Sequence, residues 1–310
     1  LGSKGRALME PSVRVYAVVV SYRSDPQRLA AQFQRLLAQV EGIVWVDNAS
    51  PEGLQGLLDR WSEQHVHAIW LDSNQGIGAA QNRGIERALA LGASHVLLMD
   101  DDSLPAADMV PHLLRTLTTR PQAAAAGACH ADPRRQTLRT PFSVVQGGRL
   151  RWLPCADDQV WEVDHVIASG CLIPASVLQA VGPMREDFFI DWVDTEWCLR
   201  ARAQGYQIYG VCAAVLEHTL GDNVVRVWGR EIPKHAPWRH YYQARNFVLM
   251  LRSCPMTKAS SLHMAFRQFK RFLVFSTLVP GRWQYFKMWV RGLVHGYQGQ
   301  TGPRVRPGNR

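Results

Sequence analysis

Apolar segments separated by polar turns fill the first 130 residues, and they recur in a regular order. Apolar runs predict strands at 13–20, 43–46, 66–71 and 95–99, and a run of small residues predicts another at 123–129. Apolar residues at helical spacing predict helices at about 26–40 and 106–118, and others that end near 64 and 91. Strands that alternate with helices predict an α/β domain with a mostly parallel sheet.

The pattern changes after residue 130. A Gly147-Gly148 pair between apolar stretches predicts a hairpin, 163–173 is predicted to be one buried strand, and a short helix follows from Pro174. A helix at 196–204 is followed by predicted strands at 207–209 and 213–216. Helices are then predicted at 238–252, 262–279 and 283–295, and residues 298–310 have the composition of a disordered tail.

Polar side chains follow the first four predicted strands, which places them at one edge of the sheet. They are Ser21 and Tyr22 after the first strand, Asp47 after the second, Asn74 after the third, and the run Asp100-Asp101-Asp102 after the fourth. Open α/β sheets bind their ligands at the carboxyl ends of the strands. The sequence therefore predicts the binding site at this edge.

The three adjacent acids are the most specific signal in the chain. Their carboxylates repel one another, and a hard divalent cation such as Mg2+ or Mn2+, itself bridging a diphosphate, makes such a cluster tolerable. Because side chains alternate along an extended chain, Asp100 and Asp102 can face one ion while Asp101 points elsewhere. The alternative is a solvated turn in which Asp102 and Ser103 cap the helix that follows, but the neighbouring strand ends favour the metal site.

A glycine-containing turn precedes the helix that ends near 91. Gly76 and Gly78 at a helix start let backbone amides approach a phosphate. The turn lacks the third glycine of a dinucleotide-binding loop and the lysine of a phosphate-binding loop, so taken alone it is a weak indication.

A second acidic cluster contains Asp191, Asp194 and Glu196 together with two tryptophans. Asp194 or Thr195 stands where the N-cap of the following helix belongs, so capping explains part of the cluster. Capping does not explain Asp191 or the tryptophans. A helix N-terminus is expected to lower the pKa of Asp194 and keep it ionised, as a catalytic base requires.

Composition and cysteine spacing limit the class of protein. The 310 residues are 47% hydrophobic and 20% charged, as in a globular chain with a large core. The six cysteines form no C-x-x-C pair, so neither a zinc module nor a disulfide framework is predicted, and a reducing cytosol fits. Residues 1–12 lack the apolar segment of a signal peptide. We expect them to be a disordered or appended leader, with Met9 as the candidate natural start.

Charge is distributed unevenly along the chain. Residues 226–310 contain sixteen Lys or Arg and one acid, Glu231, giving +15, so the first 225 residues carry −6 within the net +9. Basic amphipathic helices with Trp and Phe are typical of membrane-surface elements. The alternatives are a packed helical cap whose cations are merely solvated, and a nucleic-acid-binding surface, which would leave both acidic clusters unexplained.

Ordered motifs give the chain a family resemblance. They are Val-Val-Val-Ser-Tyr (18–22), Val-Asp-Asn-Ala-Ser (46–50), Asn-Gln-Gly-Ile-Gly-Ala-Ala-Gln-Asn-Arg-Gly (74–84), Met-Asp-Asp-Asp-Ser (99–103), Ser-Gly-Cys-Leu-Ile (169–173), Phe-Ile-Asp-Trp-Val-Asp-Thr-Glu-Trp-Cys-Leu-Arg (189–200), His-Thr-Leu-Gly (218–221) and Tyr-Tyr-x-Ala-Arg-Asn (241–246). With them, residues 15–252 resemble the inverting glycosyltransferases of family 2, which have the GT-A fold, and among these the bacterial rhamnosyltransferases.

The resemblance implies a role for each matching residue. Asp100, Asp102 and His218 would hold the metal, although a lone histidine is more often structural. Asp194 would be the base, with Asp191 a rival because many members have adjacent Glu-Asp there. Asp47 would read the nucleobase, and the acceptor would meet Trp192 and Glu196. The other residues expected in the nucleotide-sugar site are Ser21, Tyr22, Asn74, Gly76, Gln81, where many members have arginine, Asp100 and Asp101.

The expected function is metal-dependent transfer of a sugar to a hydroxyl of a cell-envelope glycan, such as lipopolysaccharide, or of a lipid-linked acceptor. The resemblance favours L-rhamnose from dTDP-rhamnose, with a galactofuranosyl or hexosyl donor as the alternative. An aspartyl phosphatase would need a carboxylate after the first strand, where Ser21-Tyr22-Arg23 offers none. We expect a GT-A domain at 13–252, a basic helical region at 253–310, and a cytoplasmic location at the inner face of the membrane, with no nucleic-acid partner.

Overall fold

The computed structural model describes residues 13–50, 54, 56, 61, 65–132, 139–146, 149–156, 158–218, 223–227 and 230–304. The predicted leader, the body of the helix ending near 64, the Gly147-Gly148 turn, the 219–221 part of the His-Thr-Leu-Gly motif and the last six residues of the predicted tail lie outside these ranges.

Strands and helices follow one another through residues 15–131 largely as predicted, with an additional short strand at Ser103–Pro105 that the sequence did not indicate. The strands are β1 (Val15–Ser21), β2 (Gly42–Asp47), β3 (Val66–Trp70), β4 (His95–Asp100), β5 (Ser103–Pro105), β6 (Ala123–Ala131), β7 (Phe142–Gln146), β8 (Arg149–Leu153), β9 (Val160–Val163), β10 (Cys171–Pro174), β11 (Gln207–His218), β12 (Asn223–Val227) and β13 (Arg230–Lys234). The helices are α1 (Pro26–Leu37), α2 (Ile77–Ala90), α3 (Met109–Thr118), α4 (Ala175–Val181), α5 (Val193–Ala203), α6 (Pro237–Ser253), α7 (Lys258–Thr277) and α8 (Arg282–Tyr297), with a 3₁₀ turn at Glu186–Phe188.

One sheet carries nine of the described strands. Their order is β3-β2-β1-β4-β10-β6-β11-β5, with β9 also paired to β11. Strands β1 to β4 are parallel to one another, and β10 runs antiparallel between β4 and β6. Strand β11 is parallel to β6 and antiparallel to β5 and β9, so four of the eight strand pairings in this sheet are parallel, and six of its nine strands run in one direction. The sheet is mixed, with helices against it, as expected of an α/β domain.

Both faces of the sheet are buried, which explains why the strands are continuously apolar. Along β1, Val15, Ala17 and Val19 face one hydrophobic cluster, and the alternating Tyr16, Val18 and Val20 face another. Every residue of β1 and β2 is buried. Burial on two faces removes the hydrophobic alternation of a half-exposed strand and positions the polar residues at the strand ends.

The predicted strand at 163–173 is wrong. Strand β9 ends at Val163, a loop follows, and β10 begins only at Cys171. Gly170 turns the chain with φ +81°, where it donates to Leu98 O at 2.8 Å and accepts from Ala128 N at 2.9 Å. The reversal could not be recognised from the apolar run, because Val166 is as buried in the loop as it would be in a strand. The strands predicted at 207–209 and 213–216 are one strand, β11, with an irregularity between Val211 and Val215.

The structure does not contain the cap considered as the alternative for Asp102 and Ser103, and the N-cap predicted at Asp194 or Thr195 is wrong. Strand β5 separates Asp102 from the next helix, which begins at Met109, so neither Asp102 nor Ser103 caps it. Helix α5 begins at Val193, and its N-cap is Trp192 in a left-handed conformation, φ +72°. Asp194 therefore lies inside the first turn of α5.

Two predictions about the periphery are corrected as well. Cys155 and Cys212 form a disulfide, with Cα atoms 5.1 Å apart, because the pairing of β9 with β11 brings together segments 57 residues apart in sequence. The sequence predicts disorder from 298 onward, yet Gly302 N donates to Asp187 O and Arg304 N donates to Tyr242 Oη, both at 2.7 Å. This part of the tail packs on the domain.

The C-terminal helices pack against α6. At Gly292 and Gly296 of α8 an added Cβ would lie 2.4 Å from Tyr241 O and 2.6 Å from Arg245 O, so these glycines permit close contact between the two helices. Within the described residues, no helix combines the length and apolar character needed to span a membrane.

Candidate active site

Asp47 ends β2 and is held by two serines. Its carboxylate accepts from Ser21 Oγ at 2.9 Å, Ser50 N at 2.7 Å and Ser50 Oγ at 2.7 Å, and Trp45 Nε1 donates to Ser21 Oγ at 2.8 Å. A carboxylate can accept about four hydrogen bonds. Asp47 is thus fixed in orientation, only 3% exposed, at the strand end where the sequence predicted it.

Asn74 is fixed by a second network. Its Oδ1 accepts from Gly76 N at 3.0 Å and from Asn48 Nδ2 at 3.2 Å, while Gln75 N donates to Asn48 Oδ1 at 2.9 Å. These bonds hold the turn before α2 against the end of β2. The sequence motifs that contain Asp47 and Asn74 therefore lie side by side.

Gly76 and Gly78 have a packing role in the structure. Gly76 has φ +88°, and an added Cβ would lie 2.4 Å from Phe189 O; at Gly78 it would lie 2.7 Å from Arg185 O. Ile77 N donates to Phe189 O at 2.7 Å. The glycines thus bring 185–189, the segment that leads to Asp191, against the start of α2. Gln81 is buried on the same helix.

Of the three adjacent acids, Asp100 ends β4, whereas Asp101 and Asp102 lie in a turn before β5, so the alternation expected of an extended chain does not apply to them. Asp101 accepts from Tyr22 N at 3.1 Å and from Ser24 Oγ, and burial raises its pKa. The backbone of the cluster is held by α1, because Gln32 Nε2 donates to Asp100 O and Ser103 O, both at 2.6 Å. Asp100 and Asp102 remain partly exposed at the sheet edge.

His218 approaches the acidic cluster through its backbone. Strand β11 pairs with β5 so that His218 lies opposite Ser103, the residue after Asp102. The side chain of His218 lies outside the described residues. Within the part of the chain that is described, no three His, Cys, Asp or Glu side chains form a group that could hold a metal ion. The carboxylates of Asp100 and Asp102 are the oxygen ligands that Mg2+ and Mn2+ prefer, so the donor set fits such an ion.

Asp194 is connected to the first acidic cluster through two neighbouring residues, Ala168 and Ser169. Its Oδ2 accepts from Ala168 N at 3.3 Å and its Oδ1 from Thr195 N at 2.7 Å. The residue after Ala168, Ser169, accepts a hydrogen bond from Asp100 N through its Oγ at 3.1 Å. The dipeptide 168–169 therefore joins Asp194 to the sheet edge at Asp100.

Burial dominates the electrostatics of Asp194. It raises the pKa of this carboxyl, while the neighbouring His165 and the two backbone donors act in the opposite direction. The expectation that the helix N-terminus lowers the pKa of Asp194 is therefore wrong, because desolvation outweighs it. Burial also lowers the pKa of His165, a neighbour that sequence reasoning did not select.

Asp191 is held by a cation. Arg239 Nε donates to its two carboxylate oxygens at 3.2 and 3.1 Å, and Gln243 Nε2 donates to Oδ1 at 3.4 Å. The side chain of Asp191 is 13% exposed. Both donors lie on α6, so these contacts bind the carboxylate of Asp191 to that helix.

The left-handed segment around Asp191 is supported by a motif to which the sequence assigned no role. Phe189, Asp191 and Trp192 all have φ between +65° and +72°. Asn246 Nδ2 donates to the carbonyl oxygens of Phe188, Ile190 and Asp191 at 2.8–3.1 Å, and Arg245 donates to Phe188 O at 2.9 Å. Because non-glycine residues with positive φ cost about 1–3 kcal/mol each, these contacts stabilise an otherwise unfavourable conformation beside the site.

The two predicted acceptor residues lie in different environments. Trp192 donates from Nε1 to Gln243 O at 3.0 Å, and its ring lines a cavity. Glu196 is 3% exposed and accepts from Arg200 Nε at 2.9 and 3.0 Å, away from the residues that line that cavity. The structure thus brings Trp192 to the cavity and not Glu196.

The cavity has a volume of about 360 Å³ and lies between the hairpin β7–β8, α5 and α7. Residues on both sides of Asp194 in sequence, Trp192 and Thr195, line it together with its neighbour His165. Helix α7 contributes Met264 and Arg267. A space with apolar and polar walls beside a candidate base can hold an acceptor.

The mixed sheet, the helices against it and the acids at its edge are those of a transferase fold of the GT-A type. Residues 16–182 match the model of glycosyl transferase family 2, and the chain belongs to this family and is a glycosyltransferase. This membership favours glycosyl transfer over the aspartyl phosphatase and the nucleic-acid-binding alternatives.

Two curated relatives match nearly the whole chain. A protein named dTDP-rhamnosyl transferase RfbF, from Shigella flexneri, is 30% identical over 93% of this chain and 97% of its own length. The low-salt glycan biosynthesis hexosyltransferase Agl10 of Haloferax volcanii is 24% identical over 93% of this chain and 92% of its own.

Solved structures share the fold at low identity. TarS 1-349 of S. aureus in complex with UDP-GlcNAc superposes with a TM-score of 0.61 at 13% identity, covering 93% of this chain and 82% of that one. GalNAc-T7 with UDP, GalNAc and Mn2+ gives 0.59 at 11% identity, covering 92% of this chain and 56% of that one.

Proposed function

We propose that the protein transfers L-rhamnose from dTDP-rhamnose to a hydroxyl of a cell-envelope glycan or lipid-linked acceptor, with a divalent cation and with inversion at the anomeric carbon. The donor is supported by the name of the Shigella relative, whose similarity spans 93% of the chain. The observation that carries the chemistry is the link through Ala168 and Ser169, which holds Asp194 next to the Asp100 edge.

The donor nucleotide would lie along the ends of β1, β2 and β4. Asp47 and Asn74, each fixed by its hydrogen bonds, present polar edges to a base and a ribose. Asp100 and Asp102 would hold Mg2+ or Mn2+, with His218 as a third ligand, and the cation would neutralise charge on the leaving diphosphate. The Mn2+ in the structure of GalNAc-T7 supports testing that ion first.

Asp194 would act as the base. Its carboxylate accepts the proton of the acceptor hydroxyl as that oxygen attacks the anomeric carbon, and the bond to the diphosphate breaks with its electron pair leaving on the nucleotide. The attack and the departure occur on opposite faces of the sugar, so one displacement inverts the centre. Asp191 is the weaker candidate because Arg239 already engages both of its oxygens.

The cavity beside Asp194 would receive the acceptor. Trp192, Met264 and Leu199 provide apolar surface for the face of a sugar ring, and Arg202 and Arg267 provide donors for its hydroxyls. Because α7 forms one wall, acceptor selection would depend on the C-terminal region as well as on the α/β domain.

A panel of sugar nucleotides tests the donor. The melting temperature is measured with dTDP-rhamnose, UDP-GlcNAc and UDP-galactofuranose, each with and without Mn2+, and transfer from the stabilising donor is followed by release of its nucleoside diphosphate. We expect stabilisation by dTDP-rhamnose that requires Mn2+. Stabilisation and turnover with a UDP-hexose instead would favour a hexosyltransferase, the activity named for the Haloferax relative.

A further inference from the structure

Exposed apolar side chains concentrate on the last two helices. Eleven of the sixteen exposed large apolar residues in the described chain lie between 262 and 297. On α7 they share one face and are Leu262, Phe266, Phe269 and Leu273; on α8 they are Trp283, Phe286, Val290, Leu293, Val294 and Tyr297. Contiguous exposed apolar surface of this kind marks an interaction site.

Aromatic contacts join the two helices into one surface. The ring of Phe272 lies 6.4 Å from that of Phe269 on its own helix and 5.9 Å from that of Phe286 on α8. Phe286 in turn lies 6.1 Å from Trp283. The apolar stripes of α7 and α8 are therefore continuous. We call them together the apolar face.

The charge beside the apolar face has one sign. Helices α7 and α8 contain seven Lys or Arg and no acid. Exposed cations include Lys258 and Lys270 on α7, and Arg282, Lys287 and Arg291 on α8. Two copies of such a face would repel each other, whereas anionic headgroups complement it.

Helix α7 separates the apolar face from the acceptor cavity. Ser260, His263, Met264 and Arg267 line the cavity, and on a helix these positions lie opposite Leu262, Phe266 and Phe269. One helix thus has one side on the cavity and the other side exposed.

We propose that the apolar face docks on a bilayer containing anionic lipids, with its aromatic and aliphatic side chains at the acyl boundary and the flanking cations at the headgroups. This is the geometry of an interfacial amphipathic element, and it requires no spanning helix. Its purpose, to present a lipid-linked acceptor to the cavity, rests on the proposed function. The docking itself needs neither donor nor acceptor and can be tested without them.

Vesicle sedimentation of the full chain tests the docking. We expect binding to vesicles of phosphatidylcholine with phosphatidylglycerol, little binding to phosphatidylcholine alone, and weaker binding at high salt, because the cations are screened. Failure to bind the anionic vesicles at low salt would overturn the proposal.

Variants locate the surface. Leu262→Asp combined with Trp283→Asp, at side chains 74% and 67% exposed, should reduce the partition coefficient at least about tenfold. Val13→Asp, at a 55% exposed position before β1, is the matched control and should bind as the wild type does. Lys287→Glu with Arg291→Glu retains the apolar residues and should weaken binding to anionic vesicles only.

Two further measurements separate the competing outcomes. The double aspartate variant should retain the wild-type melting temperature and its turnover of a water-soluble acceptor, so a loss of vesicle binding cannot be assigned to unfolding or to the active site. Equal binding by the double variant and the wild type would refute the proposal. A stable dimer in solution that the double variant dissociates would instead assign the apolar face to a second copy of the chain.

Discussion

Arg239 on α6 donates from Nε to both carboxylate oxygens of Asp191, at 3.2 and 3.1 Å. Asp194, three residues later, is held by the amides of Ala168 and Thr195 instead. Because the ion pair occupies both carboxylate oxygens of Asp191, this carboxylate is suited to fixing α6 against the acidic segment. We therefore favour Asp194 over Asp191 as the proposed base.

Asp194→Asn should therefore abolish transfer without affecting donor binding. Removal of a general base costs about 100-fold to 10,000-fold in rate, and a change confined to kcat indicates a group that acts in the transition state. Steady-state kinetics and calorimetric titration with the donor measure the two quantities. Asp191→Asn is the matched control and should be milder. An inactive Asp191→Asn beside an active Asp194→Asn would transfer the role of base to Asp191.

Removal of the divalent cation should abolish turnover. Asp102→Ala should in addition eliminate the Mn2+-dependent part of nucleotide binding, because a ligand of the ion is lost. The readout is the Mn2+-induced shift in melting temperature with dTDP, which does not depend on catalysis. Asp108→Ala, at an exposed acid just before α3, should leave this shift unchanged. Full transferase activity in excess EDTA would show that no such ion is needed.

The sequence predicted the sheet edge well and the acidic segment of α5 poorly. Asp47 and Asp100 end the buried strands β2 and β4, and Asn74 follows the partly buried β3. Parallel pairing of these strands suffices to bring their ends together. The conformation of Asp191 depends on contacts from Asn246, 55 residues away. Local propensity contains no information about such a contact, so the sequence indicated the cap at Asp194 or Thr195 and not the left-handed Trp192.

Burial is the second quantity that local sequence does not reveal. Glu196 follows Asp194 by two residues, and its charge suggests an exposed residue in the acceptor site, whereas the fold encloses it with Arg200. Local sequence is also incomplete for Gly76. A glycine-containing turn suggests a contact with a phosphate, and the structure in addition packs Gly76 against Phe189 O. Gly76 is positioned by packing against a segment more than 100 residues away in sequence. Glu196 is positioned by the face of α5 that becomes buried.

Glu196→Ala should destabilise the protein more than it alters acceptor binding. Loss of one partner from a buried ion pair costs about 3–5 kcal/mol because the other charge remains buried. Arg200 is partly exposed and also donates to Val181 O. The expected cost for Glu196→Ala therefore lies in the lower part of that range. Glu86→Ala, in an exposed pair with Arg83, should cost less than about 1 kcal/mol. Urea unfolding measures both. An unchanged unfolding midpoint with a raised KM for the acceptor would support a binding role for Glu196.

The raised pKa of Asp194 links activity and stability to pH in opposite directions. The base must be ionised, so the rate should fall as pH decreases through the folded-state pKa, at higher pH than the ordinary value of 3.8 would give. A carboxyl whose pKa is raised by folding binds its proton more tightly in the folded state. Its contribution to stability is therefore fully present below the unfolded pKa and is lost as pH rises through the folded pKa.

Asn cannot ionise, so Asp194→Asn should lack this loss. The melting temperature of the variant relative to the wild type should therefore rise between about pH 4 and about pH 8, whatever constant offset the altered contacts to Ala168 and Thr195 produce. His165 interacts with Asp194 and titrates in both proteins, so the comparison is repeated in a His165→Gln background. The contrary result is a difference in melting temperature that stays constant with pH in both backgrounds. Asp194 would then ionise in the folded protein as easily as in the unfolded chain, and the burial argument for this residue would be wrong.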